Sequence, residues 1–300
     1  MTRGWIALLV AATLLAGCGR GGGGAASGGR INVVAGESFW GSIAAQLGGN
    51  RVSVTSVVSN PATDPHDYEP TAADGRAFAG AQVAVVNGAG YDAWASKLLA
   101  ANPISARAVV NVAHLAGVHA GGNPHLWYSP ADVPRTITAI SAAYRRVDPG
   151  HARYFDVQRR RYEKQVLVSY RRLIADIRRR FAGTPVGASE SIFAPLSAAL
   201  GLRLLTPPRF LDAISEGTDP TAGDKATVDR QIASRAIRVW VYNSQNASPD
   251  VRRLTAAARR TGLPIVTITE TPVPARASFQ DWQVRQLEAL RSALARATGR

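Results

Sequence analysis

The chain has 300 residues, 46% of them hydrophobic and 19% charged, with a formal net charge of +14 and a single cysteine. One cysteine excludes an internal disulfide, and the length allows one large domain or two medium ones with substantial cores. The positive charge is carried by arginine, with lysine only at Lys97, Lys164 and Lys225 and eleven arginines between Arg145 and Arg180; without interleaved aromatic residues this reads as solvated helix surface attracted to anionic lipid, and nucleic acid is not an expected partner.

Arg3, the apolar run from Trp5 to Leu15 and the sequence Leu15-Ala16-Gly17-Cys18 have the form of a signal peptide ending in a lipobox. Residues 1–17 are therefore expected to be removed, and Cys18 to carry a lipid. The apolar run is short of the about 20 residues that span a bilayer. Residues 18–29, almost all Gly, Ala and Ser, read as a flexible linker between that lipid and a folded domain.

From Arg30 onward, short β-branched runs alternate with helical patterns. Ile31 to Ala35, Val52 to Val58, Val83 to Val86 and Ala108 to Val112 read as strands, with helices over Phe39 to Leu47 and Tyr91 to Ala101. Such repetition predicts a parallel sheet with helices on its faces. From Pro130 to Phe181 no strand pattern occurs. One helix ends near Val147, and another starts at Pro149, a favoured first helical position. Tyr154, Val157, Tyr162, Val166, Tyr170, Leu173, Ile174 and Ile177 recur at helical spacings, which extends that second helix to about Phe181. At about 1.5 Å per residue it would span roughly 50 Å, long enough to act as a strut.

After Gly183 the alternation resumes. Strands are expected at Pro185 to Ala188, Arg203 to Thr206, Val239 to Tyr242 and Pro264 to Thr269, and helices at Phe193 to Leu200, Thr221 to Ser234, Pro249 to Thr261 and Phe279 to Ala297. The expected fold is α/β: a first lobe over 30–147, a connecting helix over 148–182 and a second lobe over 183–300. Ligands in such folds bind at the carboxyl ends of the strands.

Two histidines stand in matched settings. His66 lies in Asp64-Pro65-His66-Asp67-Tyr68-Glu69-Pro70 after the second strand, and His125 in Asn123-Pro124-His125-Leu126-Trp127-Tyr128-Ser129-Pro130 after the fourth. Proline before each histidine stiffens its loop, and two imidazoles on one sheet edge suit zinc, manganese or iron. Two imidazoles do not complete a shell. At the strand ends of the second lobe the acidic candidates are Glu190 and Glu270, each also readable as a helix cap or a solvated charge. Trp127, beside His125, is either a lid or packing for the ligand loop. His114 and His119 are either auxiliary ligands or solvated loop residues, and His151 is unrelated to the site.

These residues resemble the metal-specific, cluster A-I substrate-binding lipoproteins of ABC importers for zinc and manganese. The resemblance rests on Asp-Pro-His-x-Tyr-Glu-Pro at Asp64 to Pro70, on Asn-Gly-x-Gly at Asn87 to Gly90, and on the second histidine motif, where the family usually has Asp in place of Asn123. It covers nearly the whole mature chain. It implies a third ligand at Glu190, which is followed at family spacing by Phe193 and Gly201-Leu202. It also matches Glu216 to Asp224 to a further family stretch without a ligand. The fourth family ligand is usually Asp, and here Glu270 holds that place, with Asp281 too far into the closing helix.

What the resemblance implies is a monomeric carrier, not an enzyme. It would be lipid-anchored on the outer face of the cell membrane, catch one Zn2+ or Mn2+ in the cleft between two lobes joined by a rigid helix, and deliver it to a membrane permease and its ATPase. Two harder carboxylates lean toward manganese, while zinc binds most N/O sites more tightly. The alternatives are a secreted metallo-hydrolase and a surface adhesin with a structural metal.

Overall fold

The computed structural model describes Met1, residues 29–63 and residues 68–300. The expected signal peptide and Cys18 lie outside the described residues, as does His66. No helix among the described residues is long and apolar enough to cross a membrane.

The first sheet has strands β1 (Ile31–Glu37), β2 (Val52–Val58), β3 (Val83–Val86) and β4 (Ala108–Asn111), in the order β2-β1-β3-β4. The second has β5 (Pro185–Ala188), β6 (Arg203–Leu204), β7 (Val239–Asn243) and β8 (Ile265–Ile268), in the order β6-β5-β7-β8. Every pairing is parallel. The two sheets are therefore topological duplicates, and the direction of winding reverses between β1 and β3 in one and between β5 and β7 in the other. Parallel strands need helical crossovers that cover both sheet faces, which explains why β3 is buried along its whole length.

The helices are α1 (Ser38–Gly48), α2 (Ala72–Gly80), α3 (Ala93–Ala101), α4 (Val112–Ala116), α5 (Asp132–Val147), α6 (Ala152–Arg161), α7 (Val168–Phe181), α8 (Ala194–Ala199), α9 (Pro208–Ser215), α10 (Ala222–Ala233), α11 (Pro249–Arg260) and α12 (Phe279–Thr298). Caps fix several starts. Thr71 and Asp74 form a capping box on α2, and Thr221 and Ser278 accept the N–H groups of Asp224 and Asp281. Asp281 is thus spent in capping α12, and Glu216 to Asp224 is a stretch whose last residue closes the cap of α10.

The single helix expected from Pro149 to Phe181 is divided. A 3-10 turn at Pro149–His151 leads into α6, and a π turn over Tyr162–Val166 separates α6 from α7, with the Leu167 N–H bonded to the Tyr162 carbonyl at 3.0 Å. The reason lies in the spacing of the buried residues. Tyr162 and Leu167 are both buried and five apart, a step that a 3.6-residue helix does not bring to one face; the wider turn absorbs the extra residue. Leu167, and not the anticipated Val166, then joins Phe155, Tyr170, Ile177 and Phe181 on the packed side.

One apolar core runs continuously through both lobes, from Val33 and Ile137 to Val241 and Leu290. Helix α12 ties the end of the chain back to its start: the Phe279 N–H donates to Ser42 Oγ at 2.9 Å, and Gln280 and Gln46 exchange amide hydrogen bonds at 3.1 and 3.0 Å. Separate apolar clusters fill the far faces of the two sheets, around Phe78 and Trp94 in one and around Trp240 and Leu254 in the other.

Candidate metal centre

Three of the four residues singled out from the sequence can be placed, and all three are buried at the meeting of the lobes: His125 at 0%, Glu190 at 1% and Glu270 at 5% exposure. His125 precedes a 3-10 turn, Leu126–Tyr128, between α4 and α5. Its backbone N–H donates to Asn123 Oδ1 at 3.0 Å, which identifies that atom as the acceptor. The ring Nδ1, 2.8 Å from the same oxygen, therefore carries the proton. Nε2 faces Glu270 Oε1 at 3.6 Å across the lobe boundary. Asn123 reaches the other lobe as well, donating through Nδ2 to the Ser191 carbonyl at 2.7 Å. Fixing an imidazole through its second nitrogen is the usual support for a metal ligand.

Glu190 and Glu270 are held by neutral donors. Asn243, at the end of β7, accepts the Gln245 N–H at its Oδ1, so its Nδ2 is turned to the carboxylates, 2.6 Å from Glu190 Oε1 and 3.2 Å from Glu270 Oε1. Asn246 Nδ2 donates to Glu190 Oε2 at 2.7 Å. From the first lobe, the Tyr91 hydroxyl donates to Glu270 Oε2 at 2.7 Å. The residue before Glu270 is clamped too: Trp282 Nε1 donates to Thr269 Oγ1 at 2.8 Å, and the Thr269 N–H donates to Gln286 Oε1 at 3.0 Å. Among the described residues no group of three or more His, Cys, Asp or Glu side chains is spaced to hold an ion; His125 and Glu270 face each other directly, and Asn243 bonds both carboxylates.

The loop bearing His66 is anchored on both sides of its undescribed part. The Pro61 carbonyl accepts from Gln245 Nε2 at 2.7 Å, and the same Gln245 bonds Thr271, next to Glu270, through Oε1 and Nε2. On the far side Tyr68 donates to Asp74 at 2.8 Å and packs edge-on against Trp94.

Trp127 is fully buried and stacks on Phe39 with ring centroids 4.2 Å apart, while also meeting Tyr91 and His125. It packs the His125 loop, and the lid reading is discarded. His114 and His119 are both exposed, and His151 bonds Asp148 at 2.7 Å.

Behind Tyr91 lies a pair of acids that the sequence reading passed over. Asp92 accepts the N–H groups of Asn87 and Gly88, both at 2.7 Å. Glu37 ends β1 with both oxygens buried beside Asp92, and burial first, then the Asp92 charge, pushes its carboxyl well above the usual carboxylate range. Glu37 therefore keeps its proton to higher pH than an exposed carboxyl and shares it with Asp92, whose own carboxyl is also raised by burial, against the two backbone N–H groups that favour its charged form. A Cβ on Gly36 would stand 3.0 Å from Asp92 Oδ2, and one on Gly88, at φ +79°, would stand 2.4 Å from Asn111 Oδ1; this loop needs both glycines.

Tyr91, Asn243 and Asn246 were not recognised in the sequence either. Their one signal is position, polar groups directly following apolar strands or closing the Asn87-Gly-Ala-Gly turn. A cavity of about 210 Å³ opens beside Tyr91 and is lined from both lobes, by Gly122 and Asn123 on one side and Asp212 and Glu216 on the other. A larger one, about 570 Å³, is ringed by Arg235, Arg238, Arg259 and Arg296 at the amino end of β7 and β8, a wall that repels cations.

The chain is similar to the manganese-binding lipoprotein MntA of Halalkalibacterium halodurans, 28% identical over 153 residues, and to the iron-binding protein YfeA of Yersinia pestis, 27% identical over 172 residues. These matches cover 49% and 54% of this chain and span about half the length of each relative, 50% and 54%. The manganese ABC transporter substrate-binding lipoprotein PsaA of Streptococcus mitis is 24% identical over 276 residues, 86% of this chain and 85% of that protein. The fold is that of the Mn-bound periplasmic metal binding protein from Candidatus Liberibacter asiaticus, with a TM-score of 0.72 at 18% identity over 88% of this chain and 99% of that one. The family described as zinc-uptake complex component A, periplasmic (ZnuA), matches residues 33–293, and the chain belongs to that family.

Proposed function

We propose that this protein is the extracytoplasmic substrate-binding component of an ABC importer, a carrier that takes up one divalent transition-metal ion, zinc or manganese, and delivers it to a membrane permease driven by its ATPase. The observation that carries the reading is His125 Nε2 facing Glu270 Oε1 at 3.6 Å, a nitrogen of one lobe and an oxygen of the other, with Glu190 tied to the same Asn243 amide. Two imidazoles and two carboxylates, from His66, His125, Glu190 and Glu270, supply four N/O donors and two negative charges, a match for a divalent ion.

In this reading residues 1–17 are the signal peptide, Cys18 carries the lipid and 18–29 are the tether. The lobes are 30–147 and 183–300, and 148–182 are the strut between them. The protein acts as a monomer and performs no chemistry on its cargo.

Calorimetric titration of the mature protein with zinc and with manganese is expected to give one equivalent of tightly bound metal. His66→Ala and His125→Ala should each abolish tight binding, while Glu270→Ala weakens it and leaves the chain folded. Affinity like that of the unmodified protein in either histidine variant would refute the assignment.

A further inference from the structure

We propose that Tyr91 is a specificity-determining residue of the metal site: by donating to Glu270 Oε2 it turns that carboxylate to the ion through Oε1 alone, which favours four-coordinate zinc over manganese. This rests on the proposed metal site and names the geometric feature that would choose its cargo.

The position of Tyr91 is built into the fold. Gly88, Ala89 and Gly90 all have positive φ, a turn that delivers the next residue into the cleft, and the Tyr91 N–H closes that turn on the Gly88 carbonyl at 3.1 Å. Asp92 pins the turn from behind through the N–H groups of Asn87 and Gly88, and the Asn87 side chain receives the Trp40 indole N–H and donates to the Pro124 carbonyl, immediately before His125. The ring, 1% exposed, lies 4.8 Å from Trp127 and 6.1 Å from His125 between centroids. Such a side chain has no room to swing away, so its hydroxyl is a fixed donor.

A carboxylate chelates an ion through both oxygens only when both point at it equally. Here the two oxygens of Glu270 differ. Oε2 takes a short bond from Tyr91, whereas Oε1 faces His125 Nε2 and lies at the longer 3.2 Å from Asn243. Glu190 differs, with an amide on each oxygen at 2.6 and 2.7 Å, so the asymmetry belongs to Glu270. Holding Glu270 to one donor atom lowers the number of donors toward the four of the tetrahedral shell that zinc adopts. Manganese, a harder ion that takes up to six ligands rich in oxygen, gains from a chelating carboxylate and loses when one oxygen is held elsewhere.

The test is Tyr91→Phe, which removes the hydroxyl and keeps the ring packing. Zinc and manganese affinities are measured by competition, and cobalt(II) replaces them as a spectroscopic probe of coordination number. The unmodified protein should give the intense visible bands of four-coordinate cobalt. In Tyr91→Phe those bands should weaken several-fold, and the ratio of zinc to manganese affinity should fall by about tenfold to a hundredfold, the usual range for partners of metal ligands. Glu270→Asp, one methylene shorter and so withdrawn from Tyr91, should shift the ratio the same way, and Tyr91→Phe added to it should change nothing further. An unchanged ratio and cobalt spectrum in Tyr91→Phe, or additive effects in the double variant, would overturn the proposal while leaving the metal site intact. If the unmodified protein binds none of the three ions, the metal-carrier reading itself fails, and this inference with it.

Discussion

Replacing Asn243 with alanine removes an amide that bonds both carboxylates at once, and two opposite consequences compete. In the metal-free protein the amide screens Glu190 from Glu270. A hydrogen bond to a charged group contributes about 1.5–3 kcal/mol, and the 2.6 Å bond belongs near the top of that range and the 3.2 Å bond near or below its floor. With water entering part of the vacated space, the net loss is about 3 kcal/mol, which at roughly 2–4 °C per kcal/mol lowers the metal-free melting midpoint by about 6–12 °C. Destabilising the empty site in this way would by itself tighten metal binding. The amide also fixes where the oxygens stand, and its loss loosens them. Positioning should dominate, because Asn243 is fully buried and held by Gln245, whereas carboxylate repulsion can be relieved by taking up one proton. Calorimetric titration of Asn243→Ala should therefore show affinity weakened by about 10–100-fold. Binding as tight as in the unmodified protein, or tighter, would refute the positioning role.

Glu37→Gln tests the buried acid pair. A carboxyl raised in the folded state holds its proton there while the unfolded chain releases it near pH 4.5, so its stabilising contribution is complete below that pH and is lost as pH rises through the folded-state value. Glutamine does not titrate and still offers an N–H to Asp92, so the melting midpoint of Glu37→Gln relative to the unmodified protein should rise between pH 5 and pH 8; a constant difference would contradict the shared proton. Trp127→Ala should cost about 3–5 kcal/mol, the range for truncating a buried aromatic residue. An undisturbed melting curve would return Trp127 to the role of a lid.

The strands were readable because each is a short β-branched run between turn residues: Val52–Val58, Val83–Val86 and Pro185–Ala188 fall where the pattern placed them. Short helices were harder. Only Phe78 is buried in α2, so it has almost no apolar period, and its visible mark is the Thr71–Asp74 capping box. The π turn required knowing that Leu167, and not Val166, is buried, which a periodicity count with a tolerance of one residue cannot distinguish. In the site, His125 was legible because a proline stiffens its loop, and Glu190 and Glu270 because acids following apolar strands are conspicuous. Glu37 follows an apolar strand in the same way and was missed. Tyr91 and Asn243 are uncharged, and their partners lie 179 and 53 residues away for the bonds to Glu270 and Glu190. Only the folded arrangement of the two lobes reveals them.

The duplicated topology accounts for the buried acid pair as well. Glu37 ends β1 and Asn87 follows β3 at the switch point of the first sheet, while Glu190 follows β5 and Asn243 ends β7 at the switch point of the second. The same glutamate and asparagine thus stand at the carboxyl ends of corresponding strands, on opposite sides of the cleft, but they are used differently. Asn243 donates to Glu190 at 2.6 Å. Asn87 instead donates to the Pro124 carbonyl, and Glu37 lies buried beside Asp92, where burial first and then that charge favour its protonated form. Were Glu37 ionised, a further negative charge would bear on Glu270, which already acts on it through the field of the cleft. In the proposed metal site the acidic ligands are then those of the second lobe, Glu190 and Glu270. In that proposal the first lobe contributes imidazole and hydroxyl groups, and the second lobe contributes the carboxylates. One core runs beneath both lobes, and the two sets of groups meet above it, with His125 Nε2 3.6 Å from Glu270 Oε1.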